Sequence, residues 1–376
     1  MPASSVRPIA FYLPQYHPIP ENDAWWGKGF TEWANVTRAR PLFPSHYQPH
    51  LPADLGFYDL RLPEARQAQA DLAREYGIYG FCYYHYWFNG TRLLGRPLDE
   101  VRASAQPDFP FCLCWANENW TRAWDGRATE LLIGQDYGPV DDRAHGRWLA
   151  GVFEDRRYIR VNGRPLFLVY QPSLLPDPAA TAAIWREEAQ RAGVSELYLC
   201  AVESFRNRER AAPASLGFDA AVEFQPDTLA LLTLTEKAYW RIVQKVGLLS
   251  GALVIPYATW VRRALAQPPR PYTRFPCVTP GWDNSPRRRR GAFMLHHSRP
   301  HLHEDWLART IAAFRPPSAD ENLVFINAWN EWAEGNHLEP CQRWGRAYLE
   351  ATRRALSLAY LGPTGLSSPA RVDPDD

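Results

Sequence analysis

The residues best suited to chemistry gather near the C-terminal end, in Trp329-Asn330-Glu331-Trp332-Ala333-Glu334-Gly335-Asn336-His337-Leu338-Glu339-Pro340. Glu331 and Glu334, at i and i+3, share one face of a helical turn, with Cβ atoms about 5–6 Å apart if the turn is α-like. Two neighbouring carboxylates do not both ionise readily at neutral pH, so one is expected to keep a proton and serve as an acid while the other acts as a base. Cleavage of a glycosidic bond needs that division of labour. A Glu-rich helix start favoured by the helix dipole would place the same acids here. The flanking Trp and Asn residues, however, suit an exposed first turn poorly.

Such a pair must be held at the end of a rigid element. Eight short apolar runs recur along the chain: Ile9–Leu13, Gly80–Tyr84, Phe111–Trp115, Leu166–Tyr170, Leu197–Val202, Ala220–Phe224, Phe275–Thr279 and Leu323–Ala328. Helix-like stretches separate them, among them Leu62–Tyr76, Arg143–Glu154, Thr181–Arg191, Lys237–Leu249 and Asp305–Phe314, with Gly77 and Gly193 where helices end. This alternation predicts an α/β fold, a single-domain (β/α)8 TIM barrel over residues 1–362, with 363–376 as a disordered tail. Glu331 then follows the eighth strand. The long aromatic loop from Glu21 to Asp54 is expected to wall the active site.

In a barrel the working residues collect at the C-terminal strand ends. Here those ends carry Tyr12, Gln15 and Tyr16; Tyr84, His85, Tyr86 and Trp87; Trp115, Asn117, Glu118 and Trp120; Glu203; Glu223; Trp282, Asp283 and Asn284; and Trp329, Asn330, His337 and Glu339. Any one alone can equally be a strand-end residue satisfying loop backbone. Together, aromatic faces for the C–H side of sugars and amides or acids for hydroxyls describe a carbohydrate site. The 16 Trp residues fit stacking on sugar rings.

Other chemistries lack their signatures. A Gly-x-Gly-x-x-Gly turn, a P-loop and a Ser nucleophile elbow are all missing, so no cofactor is expected. Cys112 and Cys114 lie one residue apart on a strand with no second ligand pair, and His296-His297 and His301-Leu302-His303-Glu304 lack His-Glu-x-x-His spacing, so no metal is expected. A net charge of +1 gives no footprint for nucleic acid. No apolar run reaches the ~18–20 residues of a membrane span, and the first residues lack a signal-peptide core, so a cytoplasmic location is expected. An oligosaccharide or polysaccharide is the expected partner.

At this point the chain resembles a known family. Phe11-Tyr12-Leu13-Pro14-Gln15-Tyr16-His17, Gly29-Phe30-Thr31-Glu32-Trp33, Phe81-Cys82-Tyr83-Tyr84-His85-Tyr86-Trp87-Phe88, Cys114-Trp115-Ala116-Asn117-Glu118-Asn119-Trp120-Thr121 and Trp329-Asn330-Glu331-Trp332-Ala333-Glu334-Gly335 resemble the WbsX-like family, often described as lipopolysaccharide or O-antigen biosynthesis glycosyltransferases. That family is similar to glycoside hydrolase family 99, retaining endo-α-mannosidases and endo-α-mannanases. The resemblance implies that Glu331 is the base acting on the sugar's own 2-hydroxyl and that Glu334 protonates the leaving oxygen. Family 99 commonly has His before the second Glu, where this chain has Ala333, which implies an altered substrate contact.

The expected activity is therefore retaining hydrolysis, or transglycosylation, at α-linked mannose-configured residues of a bacterial surface polysaccharide, through a 1,2-anhydro sugar. The alternatives are a glycosyltransferase and a non-catalytic carbohydrate-binding barrel. The run Arg287-Arg288-Arg289-Arg290, past the seventh strand, is a further candidate for holding a uronate, a phosphate or a lipid diphosphate at the rim.

Overall fold

A computed structural model describes residues 6–122, 127–194, 196–205, 211–288 and 290–360. The tail 363–376 lies outside the described residues. Eight parallel strand segments form the barrel: β1 (Arg7–Tyr12), β2 (Gly80–Phe88), β3 (Phe111–Trp115), β4 (Arg164–Val169), β5 (Tyr198–Glu203), β6 (Ala220–Glu223), β7 (Arg274–Phe275 continued by Cys277–Val278) and β8 (Leu323–Ile326). The seventh strand closes the ring in two halves. Its first half pairs with β6 and its second with β8, which in turn pairs with β1. The break falls at Pro276, which has no N–H to give the ladder but whose carbonyl accepts from Phe325 at 2.8 Å. These strands coincide within a few residues with the eight apolar runs, and the fold is the expected (β/α)8 barrel.

Helices Pro63–Glu75, Pro139–Phe153, Pro178–Arg191, Leu234–Val246, Pro300–Ala313 and Ala347–Tyr360 surround it. Four of them start with proline, whose missing N–H would have been unpaired there in any case. Gly77 and Gly193 take left-handed φ values of +83° and +76° beyond the first and third of these helices, as their positions predicted. Sequence reading did not anticipate a small sheet outside the barrel, in which Phe293–His296 lies between Leu253–Pro256 and Trp282–Asp283.

Alternation sorts the strand side chains into two layers. Pairing puts Phe11 with Cys82, Cys82 with Cys112, Tyr84 with Cys114 and Cys114 with Leu168. This set faces the axis, where the Phe11 ring meets Phe224 of the far wall at 5.7 Å. The opposite set, containing His85 paired with Trp115, packs outward on the helices: Trp115 meets Trp185 at 5.7 Å. All six cysteines are free and buried.

Beyond β8 the chain forms a short hairpin in which Asn330–Glu331 pairs antiparallel with Asn336–His337. Its tip, Trp332–Glu334, is a 3-10 turn rather than the α-like turn expected, and Gly335 ends it at φ +55°. The Asn330 carboxamide clamps this hairpin to the end of β1, accepting from Leu13 N at 2.7 Å and donating to Leu13 O at 3.0 Å. Tyr16 adds a second tie, its hydroxyl donating to Asn330 O at 2.6 Å and accepting from Trp332 N at 3.2 Å. Gly335 is a tight point: a Cβ there would lie 3.0 Å from Asp283 Cβ and 3.2 Å from Asp283 N. Gly335→Ala is therefore expected to lower stability by about 1–2 kcal/mol or more, from the left-handed backbone plus the collision. An unchanged midpoint in denaturant unfolding would show that the turn is not under this constraint.

Candidate active site

Glu331 and Glu334 meet at a single guanidinium. Arg287 NH2 donates to Glu331 Oε2 at 2.7 Å, NH1 lies 2.8 Å from Glu334 Oε1, and Nε donates to Glu32 Oε1 at 2.7 Å. The Glu32 side chain has no exposure, that of Glu331 6% and that of Glu334 19%. Glu334 is thus the carboxylate nearer solvent. Three carboxylates and one guanidinium would carry a net charge of −2 if all were ionised, which a buried site resists by holding a proton. Burial, followed by repulsion from Glu334 and Glu32, pushes Glu331 up to about 8, against the pull of Arg287. Glu334 is raised by burial and by Glu32, with Arg287 and Arg288 opposing. Burial alone would weaken the charge on Arg287, but the three carboxylates outweigh it and keep the guanidinium protonated. Burial and mutual repulsion thus favour a proton held between the two glutamates.

Each member reaches the cluster from a different loop. Glu32 precedes the helix Trp33–Arg38 in the long loop after β1, its N–H bonded to Gln15 O at 3.1 Å and its Oε1 accepting from Asn35 Nδ2 at 3.1 Å. Arg287 ends the 3-10 turn Ser285–Arg287. That turn is fixed by Asp283, whose Oδ2 lies 2.6 Å from both His46 Nε2 and Gln48 Nε2 and whose Oδ1 accepts from Ser285 N at 2.9 Å. Burial would raise the Asp283 carboxyl, yet these partners hold it below the usual range. Asn284 Oδ1 accepts from Phe293 N at 2.9 Å and ties the segment to the small sheet. Asp283 and Asn284 therefore position Arg287, and Trp282 is buried beside them.

The remaining candidates divide by strand phase. Tyr84, on the axial face, and Tyr86 lie within the field of the cluster: burial raises both hydroxyls first, and Glu331 adds to it. Trp120 packs edge-on against Tyr86 with centroids 5.0 Å apart, and half-buried Glu118 takes a hydrogen bond from Gln171 Nε2. These four stand on β2 and the segment that follows β3.

The outward-facing candidates correct the expectation of substrate contact. Tyr12 donates to Gln69 at 2.7 Å, Trp87 Nε1 to Asp141 at 2.9 Å and Trp115 Nε1 to Trp87 O at 3.3 Å, while His85 stacks on Trp148 and meets His145 at 3.0 Å. Glu203 is taken by Tyr272 at 2.5 Å and Arg274 at 2.7 Å, and Glu223 by Arg274 at 3.3 Å and Gln225 at 2.6 Å. Both acids sit in the outward phase with Ala221 and Arg274. In a parallel barrel both strand faces are buried, so a run such as Tyr84-His85-Tyr86-Trp87 gives no sign of which side chains look inward.

Loop candidates are framework too. Asn117 exchanges two 2.8 Å bonds with the Gln171 backbone. Trp329 is buried on Phe81. Asn330 and Tyr16 are spent on the hairpin clamps, and Gln15 is buried beneath them. His337 stacks on Trp332 at 3.7 Å. Glu339 accepts from Gln69 at 2.6 Å, Tyr58 at 2.8 Å and Trp332 Nε1 at 2.6 Å. Burial raises it to about 7 against those bonds. The four arginines do not act together: Arg287 is enclosed by carboxylates, Arg288 and Arg290 are exposed, and Arg289 lies outside the described residues. Glu32 was overlooked as a site residue. Its only signal was its place in the motif Gly29-Phe30-Thr31-Glu32-Trp33. Among the described residues no group of three or more His, Cys, Asp or Glu is arranged to hold a metal ion, and no helix is long and apolar enough to cross a membrane.

Comparison with known proteins bears on this geometry. The family described as Glycosyltransferase WbsX matches residues 8–352. The protein WxcX from two strains of Xanthomonas campestris pv. campestris is 49% identical over 364 residues, 96% of this chain and 51% of WxcX; the chain thus spans about half the length of these relatives. Among solved structures, a glycoside hydrolase-like protein superposes with a TM-score of 0.57 at 14% identity, covering 95% of each chain. The GH99 endo-alpha-mannosidase from Bacteroides thetaiotaomicron does so with a TM-score of 0.55 at 14% identity, covering 94% of this chain and 97% of that one. At such identity the likeness establishes the fold.

Since Arg287 is the opposing influence on both glutamates, Arg287→Gln is expected to move their titrations further upward. Carbon-13 NMR of glutamate-labelled protein reads this without substrate. Titration of Glu331 and Glu334 at unchanged or lower pH in the variant would show that Arg287 does not set their proton affinity.

Proposed function

The chain belongs to the WbsX glycosyltransferase family, and from the proton-sharing pair Glu331 and Glu334 we propose that it is a retaining glycosidase or transglycosylase acting on α-linked, mannose-configured residues of a bacterial surface polysaccharide. The observation that carries the reading is the meeting of both carboxylates on one guanidinium at the C-terminal end of the barrel. The glycoside hydrolase fold supports it.

The reaction follows from placement. With one acid just before a 3-10 turn and the other ending it, there is little room to flank a sugar from opposite faces, as an acid and a protein nucleophile ordinarily do. The substrate then supplies its own nucleophile. In an α-mannoside the 2-hydroxyl and the leaving oxygen are trans and axial. The reactive state is the one in which the proton of the pair sits on Glu334 and Glu331 is ionised; Arg287 holds Glu331 Oε2, so Oε1 takes the 2-hydroxyl proton. O2 bonds to C1 as the C1–O bond breaks, and Glu334, the more exposed acid, protonates the departing oxygen. The product of this step is a 1,2-anhydro sugar. Glu334, now ionised, deprotonates an incoming water or sugar hydroxyl that attacks C1, and Glu331 returns its proton to O2. Two inversions at C1 give net retention. Tyr84, Tyr86 and Trp120 would supply the ring faces around the sugar.

Glu331→Gln and Glu334→Gln are each expected to slow turnover of a defined α-mannoside by about 10²–10⁴-fold while binding persists, and a 2-deoxy substrate is expected not to turn over. Proton NMR should show product formed with retained configuration. The family's description favours one other reading, transfer from a nucleotide sugar. Turnover that requires such a donor would establish that reading and exclude the hydrolase; inverted product, or a sugar ester trapped on either Glu, would exclude the O2 mechanism.

A further inference from the structure

Next to the glutamate turn lies a pocket of about 400 Å³ whose lining includes none of Arg287, Glu331 and Glu334. Gly335 and His337 form part of its wall, and the rest comes from the loop after β1 and the segments after β7 and β8. Its lining is basic and aromatic. The only acid in it is Asp283, whose two oxygens are already taken by His46, Gln48 and the Ser285 N–H. Against this stand Arg299 and Arg343 and five histidines.

The two guanidiniums converge on one ring: Arg343 lies 5.3 Å and Arg299 5.5 Å from the Trp344 centroid, and Arg343 also lies 4.6 Å from that of Tyr47. Among the described residues neither arginine is in an ion pair with a carboxylate. Burial and like-charged neighbours hold His50 and His296 down to about 4, so they are neutral at neutral pH, the His50 N–H being spent on His337 Nε2 at 3.0 Å, and the arginines carry the fixed positive charge. The backbone adds to it. Arg299 immediately precedes the helix Pro300–Ala313, whose first turn has no acid, so a positive helix end begins at the pocket wall; Tyr348 lies in the first turn of Ala347–Tyr360, where Glu350 offsets the dipole. The segments after strands seven and eight of a barrel, with a helix N-terminus, are a recurrent place for phosphate binding.

We propose that this pocket binds an oxyanion carried on a saccharide, a phosphate ester or a sugar carboxylate, with Arg299 and Arg343 as its charge partners and the rings of Trp344 and Tyr47 against the sugar. The location differs from the arginine run at 287–290, of which Arg287 is committed to the glutamates. A metal ion is the wrong occupant for a site whose fixed charge is positive.

Isothermal titration of the chain tests this, with inorganic phosphate and glucuronate as probes, glucose as the neutral counterpart of glucuronate, and chloride holding ionic strength constant. Phosphate, glucuronate or both should bind at millimolar concentration and glucose should not; the stronger anion identifies which group the pocket prefers. Arg343→Gln and Arg299→Gln should each weaken binding by about tenfold or more, with thermal melts confirming that each variant is folded. Arg343 is exposed, so its replacement leaves the core intact. Binding of neither anion beyond chloride, or binding unchanged in both variants, would overturn the proposal. The measurement involves no turnover, so its failure leaves the glycosidase reading untouched.

Discussion

One buried guanidinium shared by three carboxylates is the interaction on which the rest of this architecture depends. Taking four ionisable groups out of water is expensive, and the expense is offset only when geometry is tight and remaining polar atoms are satisfied. Glu32, Arg287 and the Glu331–Glu334 pair come from the loops after β1, β7 and β8, strands that are neighbours where the ring closes. The cluster therefore ties together the stretch of barrel wall in which β7 is broken at Pro276. Much of the polar framework serves this convergence. Asn330 locks the hairpin to Leu13, Asp283 locks the Arg287 turn to His46 and Gln48, and Glu339 gathers Gln69, Tyr58 and Trp332 beneath it.

The same charge arithmetic leads from fold to chemistry. Arg287 pulls both glutamates toward the ionised form while burial and their neighbouring carboxylates push them toward the protonated one, and a balance of this kind is what lets one group of a pair give a proton and the other receive it. Glu32 matters here although it need not touch substrate. It occupies Arg287 Nε, fixing the orientation of the planar fork so that the two terminal nitrogens each meet one glutamate.

How far the sequence disclosed this depends on which physical signal each residue leaves. The strands were legible because Phe111–Trp115 or Leu323–Ile326 is an apolar run of strand length between helix-like segments, a local pattern. Glu331 and Glu334 were legible because their spacing is local and their Trp and Asn flanks are out of character for a surface turn. Strand phase was not: His85 and Trp115 are as apolar in context as Tyr84, because helices cover one face and packed side chains the other. Arg287 and Glu32 are 255 residues apart, and nothing in a run of four arginines marks the first as the buried one. The small sheet holding Trp282–Asp283 was hidden because its strands are only two to four residues long, and Leu253–Pro256 pairs with Phe293–His296 across about forty residues of chain.

The 3-10 turn gives these features a common direction. Glu331 caps its start and Glu334 ends it, and both carboxylates dock on the two terminal nitrogens of the same planar fork. Neither can then swing to the far side of a bound sugar without abandoning Arg287. A fixed, one-sided pair favours a nucleophile that approaches from within the substrate, and among the hydroxyls of a pyranose the one on C2 adjoins the reacting carbon. The side chain between the two glutamates is Ala333, buried and small, so it contributes no polar contact of its own to that carbon's surroundings. On the proposed reading, discrimination among sugars falls instead to Tyr84, Tyr86, Trp120 and Glu118, which stand on β2 and the segment after β3. The glutamate turn and these side chains are carried by separate parts of the barrel, so on that reading the one set can vary while the carboxylate pair stays the same.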